Sequence, residues 1–151
     1  MTATVSDRRV PALGGFSWTF LRLEIRRLLR NRRTVVFTLI IPPVFFWAFG
    51  TGHTTEQVGR GNVTAYIMIS LAVYGAMIAT TAGGASVGLE RAVGWSRQLR
   101  LTPLNPVAYV MVKIITAMVL GGLSVAIVFA VGALGGASMD GWVWVVSALV
   151  A

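Results

Sequence analysis

The sequence predicts an all-α integral membrane protein: an N-terminal amphipathic interfacial helix, three complete transmembrane helices and the start of a fourth, with a cytoplasmic coupling helix between spans two and three. Three observations carry this expectation. Hydrophobic residues make up 56% of the 151 positions and charged residues only 12%, against roughly 25% charged residues in soluble domains. Residues 34–52, 61–89 and 114–139 contain no Asp, Glu, Lys or Arg, and each is long enough to cross a hydrocarbon core about 30 Å thick. The basic residues also cluster: eight of the thirteen precede residue 34 and three more lie at 89–105. The positive-inside rule then puts both basic regions in the cytoplasm and leaves 53–60 outside. A transmembrane barrel would show alternating segments of about 10 residues, and these runs are continuous.

Residues 1–15 are small, polar and Gly/Pro-containing without apolar period, and read as a flexible cytoplasmic tail. Arg8-Arg9 is too far from an apolar run to serve as a signal. Over 16–33, Trp18, Leu21, Ile25, Leu28 and Leu29 share one helical face while Arg22, Arg26, Arg27 and Arg30 take the other. Such a helix suits the bilayer surface, its stripe among acyl chains and its guanidinium groups at phosphates. Membrane lipid is therefore an expected partner. Nucleic acid is not, because Trp18 belongs to the apolar stripe rather than to a stacking platform.

The transmembrane domain is expected over 34–151, with spans at about 34–52, 64–88, 106–132 and 141–151. Pro42-Pro43 should kink the first span. His53 and Glu56 follow in a solvated loop. In the second span Ala72, Ala76, Thr80, Gly84 and Gly88 recur every four residues, beside a row of Gly75, Ala79 and Gly83. Small residues let helices approach closely in lipid, so the first row is the expected packing face, against a neighbour in the chain or a second subunit. Thr102-Pro103 and Asn105-Pro106 each offer a cap and a first-turn proline for the third span. Lys113, near that start, is expected to snorkel to the headgroups. Residues 141–151 are too few to cross a bilayer, so the sequence is expected to be a fragment or truncated product of a longer protein.

Chemistry within the chain is sparse. There is no cysteine, one histidine and five scattered acids, so neither a catalytic constellation nor a metal site is expected. No G-x-x-x-x-G-K-[ST] phosphate loop occurs. Residues 89–105, L-E-R-A-V-G-W-S-R-Q-L-R-L-T-P-L-N, form a charged island between two apolar runs. As a helix, Leu89, Ala92, Trp95, Ser96 and Leu99 gather on one side and Glu90, Arg91, Arg97 and Gln98 on the other. Pro103 stops it by excluding Thr102 from the α region. That describes a helix lying along the membrane.

The island resembles the ABC-2 type permeases of ATP-binding cassette exporters, whose pattern runs close to E-R-E-x-G-T followed by L-x-x-T-P. Glu90, Arg91, Gly94, Leu99, Thr102 and Pro103 match it; Ala92 and Trp95 replace the second acid and the threonine. The resemblance implies that the island is the coupling helix, with Glu90, Arg91, Gly94, Trp95, Arg97, Leu99, Thr102 and Pro103 docking on a separate ATPase subunit. It further implies ATP and magnesium in that partner, a second permease subunit in a homodimer or heterodimer, and export of a drug, lipid or other amphiphile across the cell membrane. Trp18, Leu21, Ile25, Leu28, Arg26 and Arg30 would be its interfacial elbow. The alternative is a membrane anchor or assembly module without transport activity.

Overall fold

The computed structural model describes residues 16–94 and 105–151. These form α1 (Trp18–Arg30), α2 (Arg32–Gly50), α3 (Val63–Ala92), α4 (Pro106–Leu134) and α5 (Gly141–Val150). Helices α2, α3 and α4 are long and apolar enough to cross a membrane, with mean hydropathies of 1.6, 1.8 and 2.5. Their outer faces carry exposed Phe37, Phe45, Trp47, Phe49, Met77, Ile114 and Met118. A continuous apolar surface of this kind is stable in lipid and not in water. The chain is an all-α, multi-pass membrane protein, apart from one short β-hairpin.

Asn31 separates α1 from α2. Its extended backbone (φ −76°, ψ 97°) interrupts the helical run, and its carbonyl accepts from the Val35 amide at 3.0 Å. Within α2, prolines at 42 and 43 bring no N–H to the carbonyls one turn back. The turns on either side widen to π-helix at Val36–Ile40 and Phe46–Gly50, with the Ile41 amide reaching back to the Val36 carbonyl. The kink expected from the sequence thus takes the form of widened turns. The Thr38 carbonyl, which Pro42 cannot serve, instead accepts a 2.7 Å hydrogen bond from Ser124 Oγ on α4. Neighbouring helices satisfy freed backbone groups in this way when water is excluded.

Helices α3 and α4 form the central pair, and glycine sets their spacing. A Cβ at Gly83 would stand 2.9 Å from Ala117, and one at Gly132 would collide with Met68. The core beyond this seam gathers Phe46, Met68, Ala72, Val125, Val128 and Phe129. From residue 72 onward the buried small residues of α3 are Ala72, Gly75, Ala79 and Gly83; Ala76 is half-buried, and Thr80, Gly84 and Gly88 are exposed in this chain. Helix geometry gives the reason. At about 100° per residue, a strict four-residue repeat drifts about 40° per step, so Gly88 points about 160° away from Ala72. The spacing 72, 75, 79, 83 stays within about 80°. The small-residue face that packs on α4 is therefore the adjoining row, joined to the expected one at Ala72 and Ala76.

A further difference concerns the end of α3. Helix α3 runs past the expected end at 88, because nothing breaks it before Gly94, which takes φ +77° and closes the helix with its amide on the Arg91 carbonyl. Leu89, Glu90, Arg91 and Ala92 are thus the last turn of α3, not the start of a separate membrane-parallel helix. The rest of the proposed coupling helix, including Trp95, Arg97, Leu99, Thr102 and Pro103, lies outside the described residues. Helix α4 opens at Pro106, with Asn105 Oδ1 accepting from the Val107 amide at 2.9 Å.

At the other end of α3, a hairpin pairs Gln57–Val58 with Gly61–Asn62 through a turn containing Gly59 at φ +62°. Arg60 lies 5.4 Å from the Trp142 ring centroid on α5. Asn62 is 2% exposed and uses its whole amide. Its Nδ2 donates to the carbonyls of Thr54 (3.3 Å) and Gly136 (2.8 Å), and its Oδ1 accepts from the amides of Ala65 and Ser138, both at 3.0 Å. One side chain thereby caps α3 and ties the 51–62 loop to the α4–α5 turn. Asn62→Ala is expected to cost about 2–4 kcal/mol, since it orphans several buried backbone groups at once. A thermal melt, with limited proteolysis at residues 51–62, checks it.

Candidate functional site

Four charged side chains and a tyrosine meet where α1 crosses the ends of α3 and α4. Glu90 is the hub. Its Oε1 accepts from Arg27 Nη1 at 2.8 Å and from Lys113 Nζ at 2.7 Å, while its Oε2 accepts from the Tyr109 hydroxyl. Lys113 also donates to Glu24 Oε1, and Arg27 Nη1 stands 3.8 Å from Glu24 Oε2. The Lys113 ammonium lies 5.6 Å from the Tyr109 ring centroid. Side chains of Lys113, Glu24 and Glu90 are only 7%, 9% and 10% exposed, whereas Arg27 is 64% exposed.

Each member is placed by helical spacing. Glu24 stands three residues after Leu21 and four before Leu28 on the face of α1 that packs on α4. Tyr109 and Lys113 are one turn apart on α4, and both are buried. Glu90 is the one buried residue in the last turn of α3. The two carboxylates balance the two cations, so the cluster carries no net charge, with Arg27 closing it from its exposed side. Breaking one partner of such a network leaves the others desolvated and unpaired. The network acts as a clamp: α1, α3 and α4 meet in one arrangement with every charge answered.

The clamp brackets residues 95–104, which leave α3 five residues after Glu90 and re-enter α4 ahead of Tyr109. Over 114 residues, 74% of its length, the chain is 32% identical to "Putative transport permease YvfS" of Bacillus subtilis (strain 168). The chain is similar to a transport permease. The match takes in 46% of that protein, so the chain spans under half of its length. No family model matches and no solved structure matches. The likeness to a permease agrees with the three apolar helices in describing a multi-pass membrane protein.

Of the site residues expected from sequence, the structure brings Glu90 into the clamp and leaves Arg91 exposed beside it, with Gly94 as the turn that ends α3. On α1, Leu21 is buried and Ile25 and Leu28 are half-buried, while Trp18, Arg26 and Arg30 face outward. Lys113 departs from its expected role. It does not snorkel to headgroups, because two carboxylates stand within reach of its amine. Sequence reasoning missed Glu24, Arg27 and Tyr109 as partners. The available signal was an acid on the apolar face of α1 and a lysine inside an apolar run: two ionisable groups of opposite sign, each costly unless paired.

Proposed function

We propose that the chain is the membrane-spanning part of a permease subunit in an ATP-driven exporter, moved by a separate ATPase subunit that holds ATP and magnesium. The observation that carries this reading is the clamp. It joins α1, α3 and α4 on both sides of the polar stretch 95–104, so a displacement applied there reaches three helices together. The motif Glu90, Arg91, Gly94, Leu99, Thr102 and Pro103, with the likeness to a transport permease, supports the same reading. In it, the N-terminus and residues 95–104 are cytoplasmic, the host bilayer is the cell membrane, and a second permease subunit completes the pathway. The cargo is a drug, lipid or other amphiphile, in keeping with spans that present apolar surface.

Arg91 gives the cleanest test, because it is exposed and outside the clamp. With Arg91→Ala, substrate-stimulated ATPase activity of the reconstituted complex is expected to fall about tenfold, the effect of roughly 1.4 kcal/mol, while the melting temperature stays unchanged. Glu90→Ala should lower both. Full transport and complex assembly in both variants would overturn the proposal, and failure of any ATPase to co-purify would favour a non-transporting anchor.

A further inference from the structure

The α2 and α4 flanks of the helical body carry apolar surface of different height. The hydrogen bond from Ser124 Oγ to the Thr38 carbonyl sets the two helices level at those residues. Away from the clamp they end together: α2 at Gly50 and α4 at Leu134, within about 3 Å of one level at 1.5 Å per residue. Toward the clamp they part. The first charge met on α4 is Lys113, about 17 Å from Ser124, whereas on α2 it is Arg33, about 8 Å from Thr38. The uncharged length of α4, residues 114–134, is thus about 31 Å and matches a hydrocarbon core of about 30 Å, while that of α2, residues 34–50, is about 25 Å. Both lengths face outward, with Ile114 and Met118 exposed on α4 and Val36, Phe37 and Ile40 exposed on α2.

We infer that the phospholipid leaflet at the clamp end dips by about 9 Å beside α2, the difference between the two flanks, and lays its phosphates on Arg32 and Arg33. Both arginines are exposed, and no carboxylate of the described residues pairs with either. A short span is met either by a thinner bilayer or by end residues reaching up to the headgroups. Here the surface above Arg33 is itself charged. Helix α1 joins α2 at Asn31, its Glu24 pairs with Lys113 at the level of the clamp, and Arg26 and Arg30 are exposed between. Charged surface of that kind draws phosphates down rather than acyl chains up. An acidic protein segment would answer the arginines, but one turn further on it would meet exposed Val36 and Phe37, which acyl chains cover. The dip rests on the membrane reading alone and does not require an ATPase partner.

Depth measurement by nitroxide power saturation, with oxygen and a nickel chelate as relaxants, tests it in dioleoyl phosphatidylglycerol vesicles. The chain has no cysteine, so single labels are clean. Val36→Cys and Gly122→Cys are a matched pair: each stands two residues before the bonded Thr38 and Ser124, both are exposed, and a Cβ at 122 meets nothing within 4 Å. The label at 36 is expected to lie about 9 Å nearer the phosphates than the label at 122. Phe37→Cys and Leu123→Cys, one residue further along each helix and both exposed, should repeat the difference. Arg32→Gln with Arg33→Gln, both surface changes, should bring the two depths to within about 3 Å, two residues of helical rise. Equal depths in the parent protein would mean a flat leaflet, or a partner other than lipid on the arginines, and would overturn the inference. An undiminished difference in the double variant would overturn it as well, since the arginines would then not be what holds the phosphates.

Discussion

Lys113→Met is expected to destabilise the protein by about 3–5 kcal/mol, the cost of breaking a buried ion pair and leaving its partner charged and unanswered. The loss is uneven across the clamp. Glu90 keeps Arg27 and the Tyr109 hydroxyl, whereas Glu24 is left with Arg27 at 3.8 Å. Glu24 is 7% exposed, so α1 must lift away from α4 for its carboxylate to regain water. The first consequence is therefore local. Amide exchange in detergent should show protection lost over 18–30 before α3 and α4 change, since Leu21 is the one fully buried apolar residue of α1. A triple variant, Lys113→Met with Glu24→Gln and Glu90→Gln, removes the charges together and should recover most of the melting temperature. Replacing a whole buried network by uncharged groups of similar volume is often neutral. A single variant that melts with the parent would show that Lys113 is solvated and the clamp absent.

Much of this architecture was legible because apolar length and charge position are written directly in sequence. Three uncharged runs gave three helices capable of crossing a membrane, and Asn105-Pro106 gave the start of α4. What was not legible depends on three-dimensional angle. A charged residue at position 90 reads as the edge of a span, yet α3 is 30 residues long, about 45 Å at 1.5 Å per residue. It exceeds a hydrocarbon core of about 30 Å, so its last turn can carry charge without ending. The partners of Glu90 come from 63 residues upstream and 19 and 23 downstream, and no local pattern announces such pairings. Lys113 reads as a headgroup lysine because its neighbours in sequence are apolar, while its neighbours in space are two acids.

Gly75→Leu should be the most disruptive single change in the apolar body. Gly75 lies where α2, α3 and α4 converge: a Cβ there would collide with Ser124 Oγ and come within 3.3 Å of Pro42 Cγ. Leucine therefore forces α3 away or turns Ser124 aside. Either movement breaks the hydrogen bond from Ser124 to the Thr38 carbonyl, for which Pro42 supplies no substitute. Overpacking costs about 1–3 kcal/mol, and an orphaned buried carbonyl about as much again, giving an expected loss of about 2–5 kcal/mol by thermal melting. Gly84→Leu is the matched control, since nothing stands within 4 Å of a Cβ at that position. It should melt within about 0.5 kcal/mol of the parent, as surface changes do. If Gly75→Leu were silent, the α2–α3–α4 junction would not be as tight as its geometry requires. If Gly84→Leu leaves the melt intact but abolishes assembly with a second permease subunit, then the drifting row Thr80, Gly84 and Gly88 serves an intermolecular contact. The two rows of small residues would then have divided the work, the inner one spacing α4 and the outer one spacing a neighbour.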